Sequence, residues 1–276
     1  MSRIPKWQPR NLLFGVSRAT HYARAKTAEL TIEQVLAPTP GQARKKPMHI
    51  PVKMGLLDAD GGEIALRLED GAKVKDGVLH LTKRRHKFRF SGIGERPVAS
   101  LLRGFSAPVN LTMERTDDEL AFLMAHDTDR FNRWQESFDY ATRIMLALSE
   151  DHRATRMLAR IDGFGDGLAV ALADEELPAA YRAQLASLPT ESDIAQAMSR
   201  DVDPGRIHTA RQVFQKRLGE ALGDVLEALY ESQGKAAGRF SPDAASAGRR
   251  ALRNGMLGLL AARGRRGDKA RLTAHF

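Results

Sequence analysis

Histidines and clustered carboxylates are the residues of this sequence that could do acid–base or metal chemistry, because it contains no cysteine. The eight histidines are His21, His49, His80, His86, His126, His152, His208 and His275. A zinc hydrolase of the H-E-x-x-H type needs two histidines one helical turn apart, since that spacing puts both imidazoles on one helix face. No histidine here is followed by glutamate, and no two share that spacing on a predicted helix. The histidines therefore predict no zinc site.

Glycine and serine motifs do not predict a nucleotide site or an acyl-transfer site either. The phosphate-binding pattern G-x-x-x-x-G-K-[ST] and the nucleophile elbow G-x-S-x-G are both absent from the sequence. The glycine-rich stretch DGFGDG, Asp162 to Gly167, follows a helical segment rather than a strand. We therefore interpret it as a loop that links two helices, not as a phosphate cradle.

Two acidic clusters, Asp117–Glu119 and Asp174–Glu176, are each predicted at the start of a helix, where negative charge offsets the helix dipole. His126 and His208 stand alone on helical segments, so we expect each to lie on the surface or to make a satisfied buried hydrogen bond. The sequence thus predicts no catalytic, cofactor-binding or metal-binding residue, and no cofactor held by this chain.

The net charge of +9 belongs to the first part of the chain. Residues 1–116 hold 21 Lys and Arg against 10 Asp and Glu, whereas residues 117–276 hold 22 against 24. The densest basic run, KRRHK from Lys83 to Lys87, is typical of a solvated strand edge, where cations discourage pairing with other chains. Phosphate binding is the alternative interpretation. The nearby aromatics are expected to be buried, which disfavours a nucleic-acid surface; they are Phe88, Phe90 and Phe105.

Length and hydropathy predict a two-domain protein of the cytoplasm. No window approaches the roughly 20 apolar residues of a membrane span, and the N-terminus lacks the apolar core of a signal peptide. The absence of cysteine excludes disulfides and fits a reducing compartment. At 276 residues the chain is long enough for two ordinary domains, each with its own core.

Short strands are predicted in the first part of the chain. β-branched residues alternate loosely with polar ones from Ala28 to Leu36, which predicts a half-buried strand. A second strand follows Met48, with a turn at Asp60–Gly62 and a third strand from about Glu63. Further strands are predicted at Val78–Thr82, Lys87–Phe90 and Val109–Met113. Several short strands at this spacing predict a small β-sandwich.

After Thr116 the apolar period changes from 2 to about 3.6, which predicts helices and no further strand. Thr116 and Glu119 have the spacing of a capping box, so the first helix is predicted to begin at Asp117. A long helix is predicted over 129–148. One broad face of it is predicted to be core: Phe131, Trp134, Phe138, Ile144, Met145 and Leu148.

Later helices are predicted to be short and joined by short loops. They cover Gly165–Ala173, Pro178–Leu188, Glu191–Ser199, a segment from Asp203-Pro204 to about Tyr230 with a break, and a segment from Ser241-Pro242 to about Arg263. This pattern predicts an antiparallel array or a solenoid of helix pairs. The predicted fold class is therefore mixed, a β-sandwich followed by an α-helical array.

A family resemblance is carried by five stretches: Leu30–Gly61, Arg96–Leu111, Asp117–Ser137, Ala186–Ala195 and Arg249–Ala261. They resemble the part of bacterial aminopeptidase N that follows the catalytic domain. That family comprises zinc metallopeptidases of the gluzincin type, which remove N-terminal residues from peptides. The resemblance begins at about Arg24 and runs to the end of the sequence.

The resemblance implies an immunoglobulin-like sandwich at 24–116 and a helical-repeat domain of the armadillo or HEAT kind at 117–276, with a non-matching segment at 1–23. In the family the helical domain covers the active site. Arg96–Leu111 would then be the last strand of the sandwich with its lead-in. Its Phe105–Leu111 part would fasten the sandwich to the first helices.

Two departures limit what the resemblance implies. The family's H-E-x-x-H motif and its G-x-M-E-N loop have no counterpart here, so no catalytic or zinc-binding role is carried onto any residue. The chain also stops about midway through the family's helical region, so we expect a fragment with a truncated repeat domain. A truncated array exposes an apolar face, and we expect self-association near Met256–Ala261.

The sequence therefore favours a non-catalytic C-terminal region of an aminopeptidase N-like enzyme, which packs against and covers a catalytic domain and is inactive alone. One alternative is a stand-alone basic module that binds nucleic acid or an acidic protein, and steep salt dependence of binding would reveal it. Another alternative is a docking subunit for a separately encoded peptidase domain, which co-purification would reveal.

Overall fold

The computed structural model of the chain describes residues 12–151, 155–234 and 241–275, so His152 lies outside the described residues. The chain forms two compact units, Met1–Thr116 and Asp117–Phe276. Within the described ranges the first unit holds strands and the second holds helices. The predicted order of a β part followed by an α part is confirmed.

Two four-stranded sheets build the first unit. Its strands are β1 Leu12–Tyr22, β2 Thr27–Leu36, β3 Ile50–Leu57, β4 Glu63–Ile64, β5 Val78–Leu81, β6 Arg85–Ser91, β7 Val98–Leu101 and β8 Asn110–Met113. One sheet has the order β6-β2-β1-β8, and the other has β3 paired with β4, β5 and β7. Buried side chains of both sheets form one apolar core, which includes Ile32, Val52, Leu81 and Phe90.

The first strand was not predicted from the sequence. β1 lies within the segment 1–23, and it pairs antiparallel with β2 from Leu12 opposite Leu36 to Tyr22 opposite Thr27. The turn between them is tight because Lys26 adopts a left-handed conformation with φ of 50°. β1 also pairs in parallel with β8, so it is an inner strand that is hydrogen-bonded to a neighbour on each side. Residues 1–11 lie outside the described residues.

The predicted hairpin is confirmed, although its third strand is only two residues long. β3 and β4 pair antiparallel, and the Asp58 carboxylate accepts hydrogen bonds from the backbone N–H groups of Asp60 and Gly62. Arg96–Leu111 was expected to be the last strand of the sandwich with its lead-in, and the last strand, β8, does begin at Asn110 within it. The lead-in contains a further strand that was not predicted, β7, which pairs with β3, whereas β8 pairs with β1 in the other sheet. The chain therefore crosses between the sheets here.

The basic run Lys83–Lys87 lies at a sheet edge, as predicted. β6 is an end strand of its sheet, and Lys87 and Arg89 both contact the buried Glu29 carboxylate on β2, at 3.0 and 2.9 Å. Hydrogen bonds from Arg89 and Lys87 lower the pKa of Glu29. Part of the positive charge of this edge is thus neutralised within the sheet.

Nine helices are found in the described part of the second unit. They are α1 Asp117–His126, α2 Arg130–Glu150, α3 Thr155–Ala173, α4 Ala179–Leu185, α5 Glu191–Met198, α6 Pro204–Ala221, α7 Gly223–Ser232, α8 Ala244–Arg263 and α9 Arg266–His275. The predicted start at Asp117 is confirmed, and the break predicted between Asp203 and Tyr230 lies at Leu222. The start at Ser241 is wrong, because Asp243 is the N-cap of α8 and accepts from Ser246 N–H. α9 was not predicted.

The predicted core face of α2 is only partly correct. Ile144, Met145 and Leu148 are buried, whereas the aromatics Phe131, Trp134 and Phe138 are half-buried and lie against one another with centroids 5.7 and 5.5 Å apart. The buried positions at the start of α2 are instead polar or small, namely Asn132, Arg133, Ser137, Tyr140 and Ala141. Phe131, Trp134 and Phe138 therefore lie at the flank of the buried face, whereas the aromatic Tyr140 belongs to it.

The interpretation of Asp162–Gly167 as a linking loop is wrong, because these residues lie inside α3. α3 packs on α1, and a Cβ atom at Gly167 would come within 2.8 Å of the Ala121 carbonyl oxygen and 2.7 Å of Met124 Cε. A Cβ atom at Gly163 would lie 3.3 Å from the Tyr140 hydroxyl. The glycines thus allow close helix contact, which outweighs their poor helix propensity of roughly 1 kcal/mol each.

The apolar stretch Met256–Ala261 lies within α8 and is largely buried. Met256, Leu257, Leu259 and Leu260 are each at most 5% exposed, because α8 packs on α4, α6, α7 and α9. The expected exposed apolar face is therefore not formed by these four side chains. Among the helices of the described ranges, none combines the length and the apolar character that a membrane crossing requires.

The contact between α1 and α3 makes a prediction about stability. We expect Gly167→Ala to lower the free energy of unfolding by about 1–3 kcal/mol, because the methyl group would overlap backbone atoms that cannot move independently. Gly258→Ala on α8 is the control, since no atom lies within 4 Å of its Cβ position. It should stabilise the chain by about 0.5–1 kcal/mol. Urea unfolding followed by circular dichroism measures both, and equal effects would contradict this account.

Candidate functional site

The structure keeps the predicted chemical residues apart. Among the residues described, no three or more His, Asp or Glu side chains are grouped so that they could share a metal ion. Two histidines do come together: His49 Nε2 and His80 Nδ1 are hydrogen-bonded to each other at 2.9 Å. The exposed His208 bonds to Glu191 at 2.8 Å, and the half-buried His126 ring lies against Phe122.

The two acidic clusters have different positions. Asp117 lies at the start of α1, as predicted, and its carboxylate accepts from Arg160 at 2.5 Å and from Arg143 at 3.3 Å. The prediction for Asp174–Glu176 is wrong, because this cluster directly follows the end of α3 and precedes α4 by several residues. Asp174 there accepts from the buried Arg133 at 3.3 Å. Both clusters therefore act as ion-pair partners that join helices.

An unpredicted feature of the first unit is the turn Leu102–Phe105, here called the Arg103 turn, between β7 and β8. Leu102 and Phe105 have φ values of 59° and 55°, in the left-handed region that bulky residues avoid. The left-handed conformation destabilises the folded chain by about 1–2 kcal/mol for each such residue. The other non-glycine residues at positive φ within the described ranges are Lys26, Asp76, Ser199 and Asp201, and none of them is a large apolar residue.

Buried polar contacts hold the Arg103 turn in this conformation. Arg103 is 8% exposed, and it donates from Nε to Ser100 Oγ at 2.8 Å and from Nη1 to Glu63 Oε1 at 2.5 Å. Its guanidinium lies over Gly55 on β3, where any Cβ atom would overlap it. The backbone N–H of Lys53 donates to Ser106 Oγ at 2.9 Å. These contacts tie the turn to β3, β4 and β7 and outweigh the backbone strain.

Phe105 is 69% exposed, so the expectation that it is buried is wrong. Phe90 is fully buried and Phe88 is half-buried, as part of the β6 pairing. Phe105 differs because the left-handed backbone at Gly104 and Phe105 directs the chain away from the core while Arg103 is drawn into it. In the sequence, the only signal of this arrangement is a single arginine within an otherwise apolar run.

A second cluster of charges joins the last three helices. This α9 ion cluster consists of Glu227 on α7, Arg263 at the end of α8, and Asp268 and Arg271 on α9. Arg263 bonds to Asp268 through Nε at 2.8 Å and Nη2 at 2.6 Å, and also to Glu227 at 2.6 Å. The Arg263 and Asp268 side chains are 1% and 0% exposed. Gly223 leaves room for the guanidinium, since a Cβ atom there would overlap Arg263 Nη1.

The α9 ion cluster changes the pKa values of Glu227, Arg263 and Asp268. Hydrogen bonds from Arg263 lower the pKa of Asp268 and, more than those from Arg271, the pKa of Glu227. The same contact with Asp268 raises the pKa of Arg263. Glu227, Arg263 and Asp268 are therefore held in their charged forms. The cluster fastens α9 to α7 and α8, and nothing in it resembles an acid–base pair poised for catalysis.

Comparison with known families assigns both units. The family described as a domain of unknown function (DUF3458_C) with ARM repeats matches residues 117–276. The family described as a domain of unknown function (DUF3458) with an Ig-like fold matches residues 15–114. The chain belongs to the ARM-repeat family and carries the Ig-like domain before it. The predicted fold class is confirmed.

Known relatives are aminopeptidases. Aminopeptidase N of Caulobacter vibrioides is 39% identical over 219 residues, covering 77% of this chain and 24% of that protein. Aminopeptidase N of Escherichia coli is 33% identical over 233 residues, covering 84% and 26%. The chain thus spans about a quarter of the length of the curated relatives it matches.

A solved structure supports the same relationship. The crystal structure of Legionella pneumophila aminopeptidase A in complex with aspartic acid matches with a TM-score of 0.68 and 25% identity, over 96% of this chain and 29% of that one. The resemblance to a C-terminal part of aminopeptidase N is therefore confirmed.

The Arg103 turn makes a prediction of coupled mutations. Gly55→Ala should lower the free energy of unfolding by about 1–3 kcal/mol, because its methyl group displaces the guanidinium. Arg103→Ala should cost about 1.5–3 kcal/mol through its lost charged hydrogen bonds. The double variant should lose less stability than the sum of the two single losses, by about 1 kcal/mol or more. In it the methyl group at position 55 occupies the space that the guanidinium has left. Gly94→Ala, with no atom within 4 Å of its Cβ position, is the control. Additive effects would contradict this packing.

The α9 ion cluster makes a prediction about pH. Because the folded-state pKa values of Asp268 and Glu227 lie below their ordinary values of 3.8 and 4.5, their stabilisation is present above those values and is lost as pH falls below them. Asp268→Asn should destabilise the chain at pH 7 and weaken its loss of stability in acid. Asp224→Asn on α7, which changes an exposed carboxylate, is the control. Urea unfolding between about pH 3 and pH 7 measures this, and parallel profiles would contradict it.

Proposed function

We propose that this chain is the non-catalytic C-terminal region of an aminopeptidase N-like metallopeptidase, which packs against and covers the catalytic domain and is inactive alone. The parent enzyme removes N-terminal residues from peptides. The proposed domains are the immunoglobulin-like sandwich, predicted at 24–116 and joined in the structure by strand β1 at Leu12–Tyr22, and the helical-repeat domain at 117–276. A chain without cysteine suits the reducing cytoplasm, where we place it.

One observation carries this proposal. The relatives named aminopeptidase N match most of this chain, in both units, while the chain covers only about a quarter of their length. The peptidase chemistry then belongs to the larger remaining part of such a protein. The contribution of this chain is mechanical: a sandwich and a helical array whose buried arginines hold their surfaces in fixed shapes for docking.

The residues described do not fit the zinc ion that the family implies. A catalytic zinc site needs three protein ligands with an open fourth position. The closest histidines, His49 and His80, instead bond to each other, and no third ligand is grouped with them in the described part of the chain. We therefore assign the zinc, and every step that depends on it, to the catalytic domain.

We therefore infer that the partner of this chain is the catalytic domain. Peptides are bound by that domain and not by this chain directly. Self-association through the end of the helical unit stays a prediction. The stretch Met256–Ala261 that suggested it has its large apolar side chains buried. A self-contact would therefore have to use other residues of α8 or α9.

Activity and docking test the proposal together. The purified chain should contain no stoichiometric zinc when measured by inductively coupled plasma mass spectrometry. It should also not hydrolyse alanine p-nitroanilide. The partner for the docking test is Caulobacter vibrioides aminopeptidase N produced without the quarter that matches this chain. It should co-elute with the chain and unfold at a higher temperature in its presence, because binding to a folded state stabilises it.

Three results would overturn the proposal. They are stoichiometric zinc in the chain alone, hydrolysis by the chain alone, and no binding to the shortened relative. A positive result in the docking test with no activity of the isolated chain would support it.

A further inference from the structure

We propose that one end of the sandwich binds the phosphate backbone of double-stranded nucleic acid. This surface, here called the basic end, consists of the loop 37–49 before β3 and of residues 82–85, which lead from β5 into β6. The inference goes beyond the proposed function and does not depend on it, because it concerns only side chains of the first unit.

A buried glutamine on β2 brings two separate basic runs together. Gln34 is 1% exposed, and its Nε2 donates to the carbonyl oxygens of Met48 at 2.7 Å and Lys83 at 3.3 Å. Its Oε1 accepts from the Met48 backbone N–H at 2.9 Å, and its own backbone N–H donates to the Arg84 carbonyl oxygen at 2.8 Å. Lys46 is two residues from Met48, so its backbone lies within about 7 Å of this contact. The two runs therefore share one fixed point.

Strand pairing holds the same end of the sandwich in one conformation. β3 and β5 pair antiparallel, with Ile50 opposite Leu81 and Pro51 opposite His80. The loop 37–49 leads directly into this ladder, and the second basic run leaves it. The cations are therefore placed before any ligand arrives, which lowers the entropy cost of binding.

The positive charge of the basic end is not neutralised within the described residues. The segments 37–49 and 78–91 together hold eight Lys and Arg and no Asp or Glu. Two of the eight, Lys87 and Arg89, bind Glu29. The other six form no ion pair with a described residue, and all but the half-buried Lys45 are exposed. They are Arg44, Lys45, Lys46, Lys83, Arg84 and Arg85.

The composition of the basic end favours phosphate groups over a protein partner. Three of the six cations are arginines, whose guanidinium groups bind phosphate oxygens through paired hydrogen bonds. Interfaces between proteins are enriched in aromatic residues and depleted in lysine, whereas those with nucleic acid are far more positively charged. The basic end has no Phe, Tyr or Trp, and its exposed large apolar side chain is Met48, at 47%.

The lack of aromatic side chains also favours a duplex over a single strand. Proteins that bind single strands stack the bases on aromatic rings, but the neighbouring Phe88 is half-buried and Phe90 is fully buried. A DNA duplex presents one phosphate charge per about 1.7 Å of its axis and needs no stacking partner. The buried aromatics that disfavoured nucleic acid in the sequence therefore argue against single strands only.

Fluorescence anisotropy with the full chain and a labelled DNA duplex of about 20 base pairs tests this inference. We expect log K to fall against log salt with a slope of about −5 between about 50 and 200 mM KCl, since six phosphate contacts release about 0.9 counterion each. A duplex of unrelated sequence should bind within about twofold, because phosphate contacts carry no sequence information.

Neutralising either basic run should weaken binding about tenfold or more and make the slope shallower by about 2–3. The hydrogen bonds of Gln34 are kept, because they use backbone groups of the two runs. The two triple variants are Lys83→Gln, Arg84→Gln, Arg85→Gln and Arg44→Gln, Lys45→Gln, Lys46→Gln.

A third triple variant is the control, because it removes the same charge from exposed cations of the first unit outside the basic end. It should keep the affinity within about threefold, since distant exposed charges are screened by salt. It combines Arg67→Gln, Lys73→Gln and Lys75→Gln.

Four results would overturn the inference. They are no salt-dependent binding of the duplex, equal weakening by the control triple, weakening by only one of the two basic runs, and tighter binding of the single strand or of poly-glutamate than of the duplex. The last of these would assign the surface to single strands or to an acidic protein. None of them affects docking to the shortened relative, so the proposed function is tested separately.

Discussion

A buried guanidinium placed over a glycine and neutralised by a carboxylate is the interaction on which both units depend. In the sandwich Arg103 occupies the space above Gly55 and bonds to Glu63. In the helical unit Arg263 occupies the space beside Gly223 and bonds to Asp268. A guanidinium taken out of water is costly unless its donors are paired, so each arrangement requires the glycine and the carboxylate together.

Other buried arginines extend this principle to the ends of helices. Arg133 on α2 donates to the carbonyl oxygens of Met124 and Ala125 at the end of α1, and Arg182 on α4 donates to Leu172 at the end of α3. The last carbonyls of a helix have no partner within the helix, and a cation there also opposes the helix dipole. Each arginine therefore supplies hydrogen bonds to the last carbonyl oxygens of one helix and joins its own helix to that one.

This architecture is consistent with the non-catalytic role proposed for the chain. The carboxylates of Glu29, Glu227 and Asp268 are paired with cations that lower their pKa values and so stabilise their charged forms. A general acid or base needs the opposite treatment, a pKa moved toward neutrality.

Local signals in the sequence determined that a β part precedes an α part, the β3–β4 hairpin and most helix starts, because periodicity, caps and turn residues act over a few neighbouring positions. They also determined that none of the sought catalytic motifs is present. Only the tertiary structure decided that Asp162–Gly167 is helical, that Phe105 is exposed and that α9 is held in place. Those outcomes depend on contacts of Gly167 with α1, of Arg103 with Gly55 and of Arg263 with Asp268 and Glu227, which bring together separate elements that no local pattern relates.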